Sequence, residues 1–228
     1  MKRILSMNEI LSYIMHPEIS MSELIEDNTR GKWKNGVKNW FLLSILIGLL
    51  TVASYKLAGY DLTLVKSNPF YGAIIDLLET IGVAEGGIWL ALVAVEVVLV
   101  LIIAGIRAMM WINILFLVSK LFKDIVSVKT LVDMSIYAIL IWIALRVFRS
   151  TVICVGLIIP FNETIGEIQQ VLLGLAEVFS YWYMILFIIG YSIVTNSTFR
   201  KSGLIVLAIQ GCFWIIVNLV PVLDIVIG

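Results

Sequence analysis

Charge is scarce in this chain. Only 14% of its 228 residues are Asp, Glu, Lys or Arg, and 61% are hydrophobic, whereas a soluble domain carries about one-quarter charged residues. The sixteen basic and sixteen acidic side chains cancel to a formal charge of zero, so no basic surplus offers a nucleic-acid surface. With a mean hydropathy of +1.05, a water-soluble globular domain is excluded and a polytopic membrane protein is expected.

Histidine and cysteine are rarer still. The single histidine, His16, precedes Pro17 in the N-terminal lead-in, and Cys154 and Cys212 are embedded in apolar runs. That excludes a disulfide framework, a CxxC metal knuckle, an HExxH site and a Ser-His-Asp triad. No GxxxxGK[ST] loop occurs, and the glycines of "EGG" at 85–87 only introduce an apolar run, so ATP hydrolysis by this chain is not expected. The reading is therefore of a protein that is not an enzyme and needs no metal or cofactor. The first forty residues carry charge throughout, unlike the uninterrupted apolar core of a cleaved signal, so this segment is expected to stay in the mature protein.

What is present is apolar sequence in long runs. Crossing roughly 30 Å of hydrocarbon takes about 20 residues at 1.5 Å rise, and five runs qualify: 40–55, 88–110, 134–159, 172–194 and 203–223. The fold expected is an all-α integral membrane protein, a bundle of five transmembrane helices with amphipathic interfacial helices. Residues 1–39 form a cytoplasmic lead-in and 40–228 the membrane domain. The apolar run from Ile88 to Ser119 is interrupted only by Glu96 and Arg107. One long helix that bends or lies down near Arg107 is preferred there, with a separate re-entrant pass over 109–122 as the competing reading.

Lys and Arg collect on the cytoplasmic side of membrane proteins. Six precede the first span (Lys2, Arg3, Arg30, Lys32, Lys34, Lys38), four lie in the second connection (Arg107, Lys120, Lys123, Lys129) and two in the fourth (Arg200, Lys201). The alternate connections hold only Lys56 and Lys66. Five crossings then place the N-terminus in the cytoplasm and the C-terminus outside.

Two segments outside the spans carry helical stripes. In "SMNEILSYIM", Met7, Ile10, Leu11, Ile14 and Met15 follow i, i+3, i+4, i+7, i+8 spacing, and Ser6 with Glu9 fits a capping box, a signature repeated by Ser20 and Glu23. In "NPFYGAIIDLLETIG", Asn68 is the expected N-cap, Pro69 the first helical residue, and Ile74, Leu77, Leu78 and Ile81 share a face. Docking on the bundle and contact with lipid are equally compatible with both.

The stretches "HPEISMSELIEDNTRGKW", "WINILFLVSKLFKDIVSVKTLVDMSIYA" and "WYMILFIIGYSIVTNSTFRKSGLIVL" resemble the Yip domain family, polytopic membrane proteins first named for interacting with Ypt/Rab GTPases. The shared features are a short Pro-containing lead-in, an apolar run ending in a lysine-bearing loop that re-enters through "SVK…Y", and a basic turn between the last two spans. The resemblance implies five spans, a cytoplasmic N-terminus and a non-enzymatic scaffold or adaptor role, and carries over no active-site residue. The chain lacks the long cytoplasmic N-terminal region of eukaryotic relatives, so a prokaryotic cytoplasmic-membrane member is expected rather than a Rab partner. Its partners would be the lipid bilayer and other membrane proteins.

Charges within the spans are the candidate site. Arg146 and Arg149 are i, i+3 neighbours on one helix face. Counted from the outer ends of the runs, Arg149 lies ~15 Å deep, Arg146 ~20 Å, Glu96 ~12 Å and Glu177 ~8 Å. Two carboxylates and two guanidiniums in one layer are expected to pair, since arginine in lipid must pair or snorkel. Structural self-neutralisation is the favoured reading. The alternative is a small transporter or channel component using the Glu96, Arg146, Arg149, Glu177 cluster. Arg107 falls near the inner interface and is given no chemistry. Gln210, Trp214 and Asn218, spaced i, i+4, i+8, form a polar stripe expected to hydrogen-bond between helices.

Overall fold

The computed structural model describes residues 15–26, 33–124, 126–159, 163–179 and 181–212. All regular structure among them is helical: α1 (Pro17–Glu26), α2 (Trp33–Leu57), α3 (Leu62–Lys66), α4 (Pro69–Thr80), α5 (Glu85–Leu121), α6 (Val128–Ile158), α7 (Glu163–Phe179), α8 (Trp182–Thr195) and α9 (199–212). Among the described residues, four stretches are long and apolar enough to cross a membrane: Lys34–Leu57, Glu85–Leu121, Val128–Ile158 and Gly166–Thr195, the last including α7 and α8. Of the expected fifth span at 203–223, the part up to residue 212 belongs to α9 and the rest, with Asn218, lies outside the described residues. The lead-in stripe of residues 6–15 also lies outside them, apart from Met15.

Local chemistry sets the helix ends. Asn68 Oδ1 accepts from the Phe70 amide at 3.0 Å with Pro69 opening α4, and Ser127 Oγ accepts from Thr130 N at 3.1 Å, which starts α6 six residues before the expected span. Gly59, Gly82, Lys123 and Asn196 all adopt the left-handed conformation just past a helix. At each of them the next amide reaches back five residues, as in Tyr60 N to Tyr55 O at 3.0 Å and Asp124 N to Ser119 O at 2.8 Å, the Schellman closure. Ser20 lies inside α1, so it is not the cap its spacing with Glu23 suggested.

α5 is one unbroken helix of 37 residues, ~55 Å long, and residues 109–121 continue it. No break at Arg107 and no re-entrant pass interrupts it. α6 is the hub, touching α1, α2, α5, α7 and α8. Trp40 Nε1 donates to Ile136 O at 3.0 Å and Cys154 Sγ donates to Leu50 O at 3.1 Å; residue 40 therefore meets 136 and residue 50 meets 154, so α2 and α6 run in the same direction. The main core gathers around residues 131–143 of α6, which are almost all buried. Met21 of α1 is fully buried in that core, so α1 docks on the bundle.

A second, smaller core at the other end seats α3 and α4 on α2 and α5, with Val65, Ile75, Trp89 and Leu92 buried and Tyr55, Tyr71 and Leu78 packed against them. The docked face of α4 is therefore Tyr71, Ile75 and Leu78. Leu77 and Ile81, expected on the same face as Leu78, point away and are exposed. The reason is that Gly72 lets the α4 backbone approach Lys66 O, where a Cβ would come within 2.5 Å, and this close approach fixes the helix's rotation.

Candidate functional site

The ion pairing expected between Glu96 and the two arginines is not formed. Glu96 lies ~17 Å from the start of α5, and Arg146 and Arg149 lie ~18 Å and ~14 Å from the end of α6. Yet Glu96 forms no ion pair with either arginine: its Oε1 accepts a hydrogen bond from Tyr71 Oη. Burial and the Glu96 carboxylate both push the Tyr71 hydroxyl well above its ordinary pKa, so Tyr71 remains the donor. Glu177 is exposed near the end of α7. It stands ~21 Å along a helix that begins at Glu163 rather than at Leu172.

Arg146 takes an aromatic partner instead, and shares it with Arg107. Arg146 lies 4.7 Å from the centroid of the Trp142 ring, one turn back on α6, and Arg107 of α5 lies 4.4 Å from the same ring and 6.0 Å from that of Tyr183. Tyr183 packs edge-on against Trp111, which stacks on Phe187 at 4.5 Å. Two cations therefore share one indole at the margin of an aromatic array contributed by α5, α6 and α8. Because Arg107 and Arg146 share the Trp142 ring, Arg107 belongs to this cluster and not to an isolated inner interface. Trp142 is buried while Arg146 and Arg149 are exposed on the described surface. The fully covered part of α6 stops at Ile143, and the arginines begin where its packing thins.

Such a cluster can hold anionic groups. Each guanidinium keeps hydrogen-bond donors that the face of an indole does not satisfy, because a ring face attracts the charge without accepting each N–H. Sequence reasoning found the arginines and missed Trp142, although the i, i+4 spacing of Trp142 and Arg146 carried the signal. Tyr71 was missed because it belongs to a helix outside the spans.

In the polar stripe, Tyr183 Oη donates to Gln210 Oε1 at 3.3 Å, linking α8 to α9. A further polar latch joins the α5–α6 loop to the last two helices: Lys201 Nζ lies 3.5 Å from Asp124 Oδ2, and Tyr191 Oη donates to the same oxygen at 3.4 Å. His16 is exposed, Cys154 is buried and Cys212 is exposed. No family model matches the chain, and neither a curated protein nor a solved structure shows a match to it.

Proposed function

We infer that the protein is a non-enzymatic integral membrane scaffold or adaptor of the Yip type, with a fifth crossing over 203–223, a cytoplasmic N-terminus and a place in a prokaryotic cytoplasmic membrane. The observation that carries the adaptor reading is the length of apolar surface on α5. Exposed apolar side chains run from Leu90 through Ile102 and Met109 to Leu117 and Leu121, a separation of ~47 Å. Fitting that within ~30 Å of hydrocarbon by tilt alone takes about 50°, beyond the usual range up to ~40°. One end of α5 therefore carries apolar surface that acyl tails do not cover, and a helix of another membrane protein is the natural cover. Photo-crosslinkers at Leu117 and Leu121 are expected to give the same discrete protein adduct in native membranes. Adducts with lipid alone at both positions would count against the adaptor.

The second reading, a small transporter or channel component, is favoured by the two guanidiniums that share Trp142 without a Glu96 ion pair. It makes a separate demand: vesicles containing the purified protein would pass an anionic solute, and the flux would disappear in Arg146→Gln. That result would displace the adaptor reading.

A further inference from the structure

At the end of the bundle opposite the main core, Tyr55, Tyr60 and Tyr71 line one cavity of about 240 Å³, together with Leu64, Ser67 and Asn68. This is smaller than the roughly 300–1,000 Å³ of drug-sized sites and larger than the roughly 150 Å³ that holds a benzene, the scale of a headgroup or a small organic ion. Its walls follow from the local fold. Tyr60 occupies the position two past the end of the α2 C-cap, where the Schellman closure folds that residue back over the last helical turn, and its ring centroid lies 5.9 Å from that of Tyr55. Tyr71, brought in by α4, stands at 73° to Tyr55 with centroids 6.5 Å apart. Two rings near a right angle make a corner of two π faces.

Three of the polar groups around this corner are already committed. Ser67 Oγ donates to Leu64 O at 2.7 Å, Asn68 Oδ1 caps α4, and Tyr71 Oη donates to Glu96. The nearby cations are committed too: Lys66 bridges Asp76 and Glu79 at 2.6 and 2.7 Å, an arrangement that raises its pKa, and Lys56 sits 4.8 Å over the Trp89 ring. What the cavity chiefly offers is ring faces, with a carboxylate hydrogen-bonded behind one of them. That chemistry suits a methylated ammonium, which is held through its charge by π faces and needs no hydrogen-bond acceptor. We propose that Tyr55, Tyr60 and Tyr71 form a binding site for a quaternary ammonium group of the choline type, carried by a lipid headgroup or by a free small cation.

The test uses the full chain in a maltoside detergent, titrated by calorimetry with tetramethylammonium, phosphocholine and the neutral choline isostere 3,3-dimethylbutanol. Separate flotation arms compare vesicles of phosphatidylcholine and phosphatidylglycerol. The cations are expected to bind at least ~10-fold more tightly than the neutral isostere, and Tyr60→Leu to weaken them roughly 5- to 30-fold while Tyr60→Phe retains most of the affinity. Tyr60 lies in an exposed turn, so its replacement leaves the bundle intact, which the circular dichroism melt of each variant checks. Preference for phosphatidylcholine vesicles with weak soluble binding assigns the headgroup, and tight soluble binding with no vesicle preference assigns a free cation. Equal binding of the isostere and the cations, loss in Tyr60→Phe equal to that in Tyr60→Leu, or no preference in either arm overturns the proposal.

Discussion

Replacing Trp142 by alanine is expected to destabilise the bundle by about 3 to 5 kcal/mol, the range of large aromatic truncations. In lipid part of the usual transfer term vanishes, because acyl tails are as apolar as the protein interior, but two other losses remain. Trp142 is 5% exposed within the hub helix, so its removal leaves a cavity that neighbouring side chains fill only partly. It also strips the shared ring from Arg107 and Arg146, at 4.4 and 4.7 Å, and a cation–π contact to a guanidinium that is not buried contributes about 0.5–1 kcal/mol. Trp142→Phe keeps a ring face and is expected to recover roughly half of the loss. Unfolding in mixed maltoside and dodecyl sulfate micelles, followed by circular dichroism, gives both values. A Trp142→Ala variant within ~1 kcal/mol of the parent would show that the arginines rely on something else.

Gly48→Leu is expected to cost about 3 kcal/mol or to prevent folding. A Cβ built at Gly48 lies 2.8 Å from the backbone oxygen of Val93 and 3.2 Å from Val97 Cγ2. The obstacle is therefore the main chain of α5, and no rotamer change relieves it. α2 and α5 must separate along their crossing, and overpacking of this kind typically costs 1–3 kcal/mol, more when backbones are forced apart. Gly105 supplies the control on the same α5, because nothing lies within 4 Å of its added Cβ. Gly105→Ala is expected to be neutral or to stabilise by up to about 1 kcal/mol through helix propensity. If Gly48→Leu and Gly105→Ala unfold at the same detergent composition, the close α2–α5 crossing is wrong.

How much of this was legible in the sequence varies with the physical scale of the question. Helix, membrane class and the caps at Asn68 and Pro69 follow from composition and nearest-neighbour chemistry, both of which act within a few residues. The helices outrun the expected spans because hydropathy marks the hydrocarbon and not the helix. Trp33–Leu57 and Val128–Ile158 both extend through polar turns carrying Lys34, Lys38, Lys129 and Asp133. The run expected at 172–194 falls within one candidate span, Gly166–Thr195, along which α7 ends at Phe179 and α8 begins at Trp182. For the charged site, counting residues along Glu96, Arg146 and Arg149 says nothing of the direction in which each points around its helix. Rotation is set by close approaches such as Gly48 on Val93 and Gly72 on Lys66. Ser44 and Gly48 do form a small-xxx-small pair, a sequence signal for such an approach. No comparable signal marks Tyr71 as the partner of Glu96, since that bond depends on how a surface helix docks.

The most direct measurement is a pair of double-mutant cycles on unfolding free energy, one joining Arg146→Gln with Trp142→Leu and the other joining Arg146→Gln with Glu96→Gln. An indole-held guanidinium and a tyrosine-held carboxylate predict a coupling of about 0.5–1 kcal/mol in the first cycle and below about 0.5 kcal/mol in the second. A large coupling between Arg146 and Glu96, with none between Arg146 and Trp142, would contradict the account and restore a neutralised ion pair as the reason the membrane tolerates these arginines.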